Sequence, residues 1–256
     1  MTGTTALGTS AAAGLLGVTK TQLLSGGVGS YLTVHVFGIA LNLDTIYGSL
    51  IAALAVAALG LAVRRSATAG VPGRLQLMWE SVVGAVERQV ASSIGPESGP
   101  VIPLAVTIFF FVLFSNWLEI LPTGSVAVVV PSPSADVNLT YAMALFVFGV
   151  YNVAGIRKRG LKGFVGKFFK PYAFLFPINL IEEIAKPLTL ALRLFGNLFS
   201  GGLMIAILAA LFPAYLSWLP TLVWKPFDMF IGVIQAFIFA LLTILYYEAA
   251  VSSEGH

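Results

Sequence analysis

The feature that most limits this chain is a series of apolar runs at about 45–63, 102–121, 137–156, 178–211 and 226–251. A helix rises about 1.5 Å per residue, so roughly 20 apolar residues cross the hydrocarbon core of a bilayer. A helix also satisfies its own backbone hydrogen bonds where no water is available. The expected fold is therefore an all-α integral membrane protein of five membrane helices. Only 10% of the residues are charged and 58% are hydrophobic, whereas a soluble domain carries roughly 25% charge. That balance excludes a soluble enzyme and, despite a net charge of +3, a nucleic-acid binder. There is no cysteine, hence no disulfide, no thiolate nucleophile and no Cys-based metal or iron–sulfur site.

Residues 1–43 are rich in Gly, Ser and Thr and are expected to form a flexible external leader. A single membrane domain over 44–256 follows. A cleaved secretory signal is the other reading of the leader, but it needs a basic n-region, and the first basic residue is Lys20. Between the first two spans, 70–93 repeats Leu75, Met78, Val82, Val86 and Val90 at helical spacing, with Arg74, Glu80, Glu87 and Arg88 largely between them. This is the pattern of an amphipathic helix lying at the membrane surface. Arg64, Arg65, Arg74, Arg88, Arg157, Lys158, Arg159, Lys162, Lys167 and Lys170 all fall on one side, ten of the 14 basic residues. The positive-inside rule makes that side cytoplasmic. The N-terminus is then external and the C-terminus cytoplasmic.

Two spans carry charge where lipid would exclude it. The segment 178–211 holds Glu182, Glu183, Lys186 and Arg193, and Pro187 permits a bend. At roughly 50 Å if helical, it exceeds a core about 30 Å thick, so it and the last helix are expected to be strongly tilted. At about 100° per residue, Glu183, Lys186, Leu190, Arg193 and Asn197 share an arc of roughly 80°. Arg193 is the sharpest feature, since it stays protonated at physiological pH and costs about 2.5–3.5 kcal/mol at mid-bilayer. Glu182 and Glu183 lie about 15 Å away along the axis, too far to pair with it. Its partner is expected on another helix or another chain. In the last helix Asp228 and Gln235 are seven apart and share a face. Helix capping is a competing reading for Asp228, and a simple interhelical hydrogen bond for Gln235.

The run Lys186-Pro-Leu-Thr-Leu-Ala-Leu-Arg-Leu-Phe-Gly-Asn197 closely resembles the arginine signature of the a subunits of F-type ATP synthase membrane sectors. The runs Gln235–Tyr246, Asn116-Trp-Leu-Glu-Ile-Leu-Pro122 and Pro133–Thr140 resemble the same family, in order from about Pro72 onward. The resemblance implies a non-catalytic stator of a proton channel, working against a rotating ring of c subunits. It also implies a b-type peripheral stalk and the rest of the complex as partners, in a bacterial plasma membrane. Arg193 would then attract the ring carboxylate in its charged form and separate two offset half-channels. Glu182 and Glu183 suit the inner half-channel, and Glu119, Asp136 and Asp228 the outer one. Asn197 and Gln235 would help place Arg193 or line the contact.

Two alternatives stand beside those roles. Asp136 can act as an N-cap ahead of Val137-Asn138-Leu139. Lys186 can pair with Glu182 or Glu183 at i, i+4 or i, i+3. One departure concerns the access route. Many relatives carry a carboxylate nine residues after the arginine, where this chain has Gly202, and often histidine where it has Asp228. A sodium-coupled form of the same machine is the alternative function. A secondary transporter would show paired interrupted repeats, and no second copy of the Arg193 segment exists. His35 and His256 form no metal constellation, and the glycines follow no phosphate-loop spacing. No cofactor or metal is expected.

Overall fold

The computed structural model describes residues 18–21, 31–36, 39–68, 72–93, 101–118, 136–169, 172–213, 215–216 and 218–251. Three short strands precede the helices: β1 (Val18–Thr21), β2 (Tyr31–Val36) and β3 (Ile39–Asn42). They form an antiparallel sheet in which Val34 pairs with Val18 on one side and Leu41 on the other. This corrects the reading of these stretches as flexible leader. Val18, Thr19, Thr21, Thr33, Val34 and Val36 are β-branched residues that favour extended backbone, but runs of four to six residues show no usable periodicity.

Helix α1 (Leu43–Ser66) follows β3 directly. Most of its large apolar side chains, among them Leu50, Leu54 and Leu61, remain exposed, as suits a helix facing lipid. It ends on Arg64 and Arg65, whose charge complements the carbonyl end of the helix. Helix α2 (Arg74–Ser93) turns Val86 and Val90 inward and leaves Glu80, Glu87 and Arg88 exposed. Its Trp79 stacks on Phe110 of α3 (Val101–Trp117) with ring centroids 5.1 Å apart.

The membrane helices comprise four that are long and apolar enough to cross unaided, plus the 17-residue α3, among the described residues. At about 25 Å, α3 sits at the short end of the spanning range. Helix α4 (Val137–Lys167) outruns its expected end, and Gly160 divides it with a φ of 71°, a left-handed conformation that glycine adopts without penalty. Helix α5 (Phe176–Leu211) contains Pro187, and α6 (Trp218–Val251) contains Pro226. The expected start of the last helix at 226 is thus corrected to Trp218. Pro226 reads as a first-turn proline, whereas here it lies inside the helix, which a membrane helix tolerates with a local bend.

Helix α6 packs most extensively against α3, and then against α4. It comes close to α3 at Gly232, where an added β-carbon would stand 3.1 Å from Cβ of Asn116. Asn116 Nδ2 donates to the Gly232 carbonyl there at 3.2 Å. Against α4 the corresponding site is Gly155, 3.1 Å from the Ala250 carbonyl by the same measure. Phe239 and Ile244 of α6, Leu190 and Leu194 of α5, Val112 of α3 and Val147 of α4 are fully buried at the centre. Helices α5 and α6 run about 54 and 51 Å at 1.5 Å per residue, well beyond a core of about 30 Å, so both must tilt strongly to stay within it.

Candidate functional site on the two long helices

Helix α5 starts from a single 3-10 turn at Ala173–Leu175, with Pro177 in its first turn where no amide partner is lost. Glu183, Leu190, Leu194 and Gly201 are buried, recurring at seven, four and seven residues, and so define its packed face. The opposite face is uncovered and apolar, with Ile181, Leu188, Leu192, Phe199 and Leu203 exposed. Along the border between the two lies an exposed edge of Glu182, Thr189, Arg193, Gly196 and Ser200. The charged stripe expected from sequence therefore divides: Glu183 turns inward and Arg193 outward.

Arg193 stands at the midpoint of α5, with 17 helical residues before it and 18 after. It is exposed, and no hydrogen bond or ion pair joins it to another described residue. Asn197, one turn on, is half-buried, and its carbonyl accepts from Ser200 Oγ at 2.8 Å. Gln235 occupies the matching place in α6, with 17 helical residues before it and 16 after. It is 5% exposed, and its Nε2 has no hydrogen-bond partner among the described residues.

Two contacts fix the register of these antiparallel helices. Asp228 Oδ1 lies 2.7 Å from where a β-carbon of Gly201 would stand. Toward the other end, Lys186 Nζ lies 5.9 Å from the ring centre of Tyr246. Arg193 is eight residues from Gly201 and Gln235 seven from Asp228, about 12 and 10.5 Å along the two axes. The cation and the buried amide thus share one level, with Asp228 about two turns away.

Lys186 gathers a second group. Its Nζ lies 3.1 Å from Glu183 Oε2 and 3.9 Å from Glu182 Oε1, so it pairs with both. The Glu183 side chain is 7% exposed and that of Glu182 69%. Only Glu183 is therefore a buried ion whose desolvation needs the ammonium. Tyr151 of α4 is buried facing Glu183, and its ring meets that of Tyr246 at a centroid distance of 5.8 Å. One polar cluster thus joins α4, α5 and α6.

Asp136 lies elsewhere, buried at the start of α4. Its Oδ1 accepts from the Asn138 amide at 2.9 Å, the geometry of an N-cap. Its Oδ2 accepts from Asn42 Nδ2 at 2.7 Å and from Thr45 Oγ1, tying α4 to the start of α1. The capping alternative is the one that forms. Glu119 lies outside the described residues. Among the described residues, no three or more Asp, Glu or His side chains gather as ligands of one metal ion would.

Gly201, Tyr151 and Tyr246 are the participants that sequence reasoning missed. Gly201 draws no notice because the nine-residue spacing from Arg193 points to Gly202. The tyrosines look like ordinary membrane-boundary aromatics, and only the i, i+3 pairing of Glu183 with Lys186 hinted that a buried acid needs neighbours.

The family described as ATP synthase A chain matches residues 46–248. ATP synthase subunit a of Acidothermus cellulolyticus is 47% identical over 230 residues, covering 90% of this chain and 84% of that protein. The subunit a of Mycobacterium leprae is 47% identical over 246 residues, with 91% and 98% covered. That of Vibrio cholerae is 36% identical over 232 residues, with 84% and 86% covered.

Proposed function

The chain belongs to the ATP synthase A chain family, and from that premise we propose that it is the stationary half of the proton path in a rotary ATP synthase. Its partner is a ring of c subunits, each bearing a membrane-embedded carboxylate. The observation that carries this reading is Arg193: a permanent cation at the midpoint of a membrane helix, exposed, with no counter-charge among the described residues. The cation holds an approaching carboxylate ionised by favouring its charged form. Once past Arg193, that carboxylate must take a proton before it faces lipid, because an unpaired buried charge is prohibitively costly. Rotation is thereby coupled to proton transfer.

Asp228 and Glu119 serve the half-channel on the external side, and the Glu182–Glu183–Lys186 group the one on the cytoplasmic side. Asn197 and Gln235 line the contact, with the Gln235 amide free to donate at the level of Arg193. Asp136 is kept as a cap. The external N-terminus, the cytoplasmic C-terminus and attachment to a b-type stalk in a bacterial plasma membrane complete the reading. Nucleotide chemistry belongs to other subunits.

The test is ATP-driven acidification of vesicles holding the reconstituted complex. Arg193→Ala is expected to abolish pumping while the complex still assembles. Intact pumping by that variant would overturn the proposal.

A further inference from the structure

A groove of about 710 Å³ runs down the outside of the α4–α6 contact, away from Arg193. That volume falls within the range of built ligand sites, roughly 300–1,000 Å³. Leu145, Phe146, Gly149 and Val153 of α4 line it, with Tyr247 and Val251 of α6. Leu145, Phe146 and Val153 are each about half exposed, whereas Tyr247 and Val251 are buried. The walls therefore open outward and the floor is packed. Gly149 keeps the groove open, since a β-carbon there would meet nothing within 4 Å. One turn below Val153 the lining changes from apolar to basic, at Arg157 and Lys158, both exposed.

Phe146, Gly149, Val150, Val153 and Arg157 recur at three, one, three and four residues, along one face of α4. From Leu145 to Arg157 the groove runs about 18 Å, close to one leaflet of a core about 30 Å thick. An apolar slot one leaflet deep, ending in a guanidinium and an ammonium, is complementary in shape and charge to an anionic phospholipid. We infer that this groove binds one such lipid, its acyl chain along Gly149 and its phosphate on Arg157 and Lys158. Basic residues at the membrane boundary recognise anionic headgroups in this way. Stems of three methylenes in Arg157 and four in Lys158, each ending in a charged tip, also let both residues reach along the boundary.

The experiment uses the purified whole complex in neutral detergent, incubated with phosphatidylglycerol or phosphatidylcholine carrying a photoreactive acyl chain. Labelled peptides are then identified by mass spectrometry, and native gels confirm that each variant keeps its full subunit composition. Phosphatidylglycerol is expected to label 145–153 preferentially. Arg157→Gln and Lys158→Gln are each expected to lower that labelling about fivefold, the effect of one boundary charge. Gly149→Trp is expected to remove it by filling the slot. Equal labelling by the two lipids, or unchanged labelling in Arg157→Gln, would overturn the inference. So would loss of another subunit from the Gly149→Trp complex, which would make the groove a seat for a protein helix.

Discussion

The carboxylate of Asp228 rests against the bare Cα of Gly201, with Oδ1 2.7 Å from where a β-carbon would stand. Real β-carbons do not approach an oxygen so closely, so a side chain at 201 must move the carboxylate. Asp228 is the flexible partner, which makes the move cheap in stability and costly in position. Gly201→Ala is expected to leave assembly intact and to lower ATP-driven proton pumping about tenfold, and Asp228→Asn is expected to do the same. Normal pumping by Gly201→Ala would show that this placement of Asp228 is immaterial.

Gln235 separates packing from function. A buried amide donor without a partner is a liability of about 1–3 kcal/mol, and leucine has similar bulk. Gln235→Leu is therefore expected to leave the thermal stability of the complex unchanged or higher while pumping falls about tenfold or more. A variant that pumps normally would reduce Gln235 to filler.

Glu183 is a buried acid paired with the half-buried Lys186, and removing the ammonium leaves that buried charge without its counter-ion. Lys186→Met is expected to destabilise the assembled subunit by about 3–5 kcal/mol, the usual loss on breaking a buried pair. The double variant Lys186→Met with Glu183→Gln should regain most of that stability. Glu182, largely exposed, should cost no more than about 1 kcal/mol when changed to Gln. Chemical denaturation of the purified complex, followed by tryptophan fluorescence, would measure all three.

Asp136 gives the opposite signature. Asp136→Ala removes a cap and two side-chain bonds from Asn42 and Thr45, and should cost about 2–3 kcal/mol. Pumping per assembled complex should stay near normal. Full stability with lost pumping would return Asp136 to the proton path.

Much of this was legible because membrane helices announce themselves: hydrocarbon leaves the backbone few choices, so long apolar runs became α1, α3, α4, α5 and α6. The signals that failed were proline and short strands. Pro226 marks a helix start in water, yet α6 runs through it. Residues 31–42 carry β-branched residues in runs too short to betray their pairing with β1. At the site, spacing within one helix was readable, which is why Lys186 with Glu182 and Glu183 could be anticipated. Relations between helices were not. That Arg193 and Gln235 share a level depends on the register set by Gly201 with Asp228, and a glycine leaves no mark of what will lie against it.

On the proposed function, the Arg193 edge of α5 meets a carboxylate-bearing helix of another chain. The chain contains no cysteine, so single cysteines can be placed at Thr189, Gly196 and Ser200, which share that exposed edge. A second cysteine goes beside the ring carboxylate, and disulfide formation reports Cβ atoms within about 4.5 Å. The account predicts a–c cross-links from these positions in the assembled complex and none from Leu50 or Leu54 on α1. Cross-links from α1 with none from the Arg193 edge would contradict it.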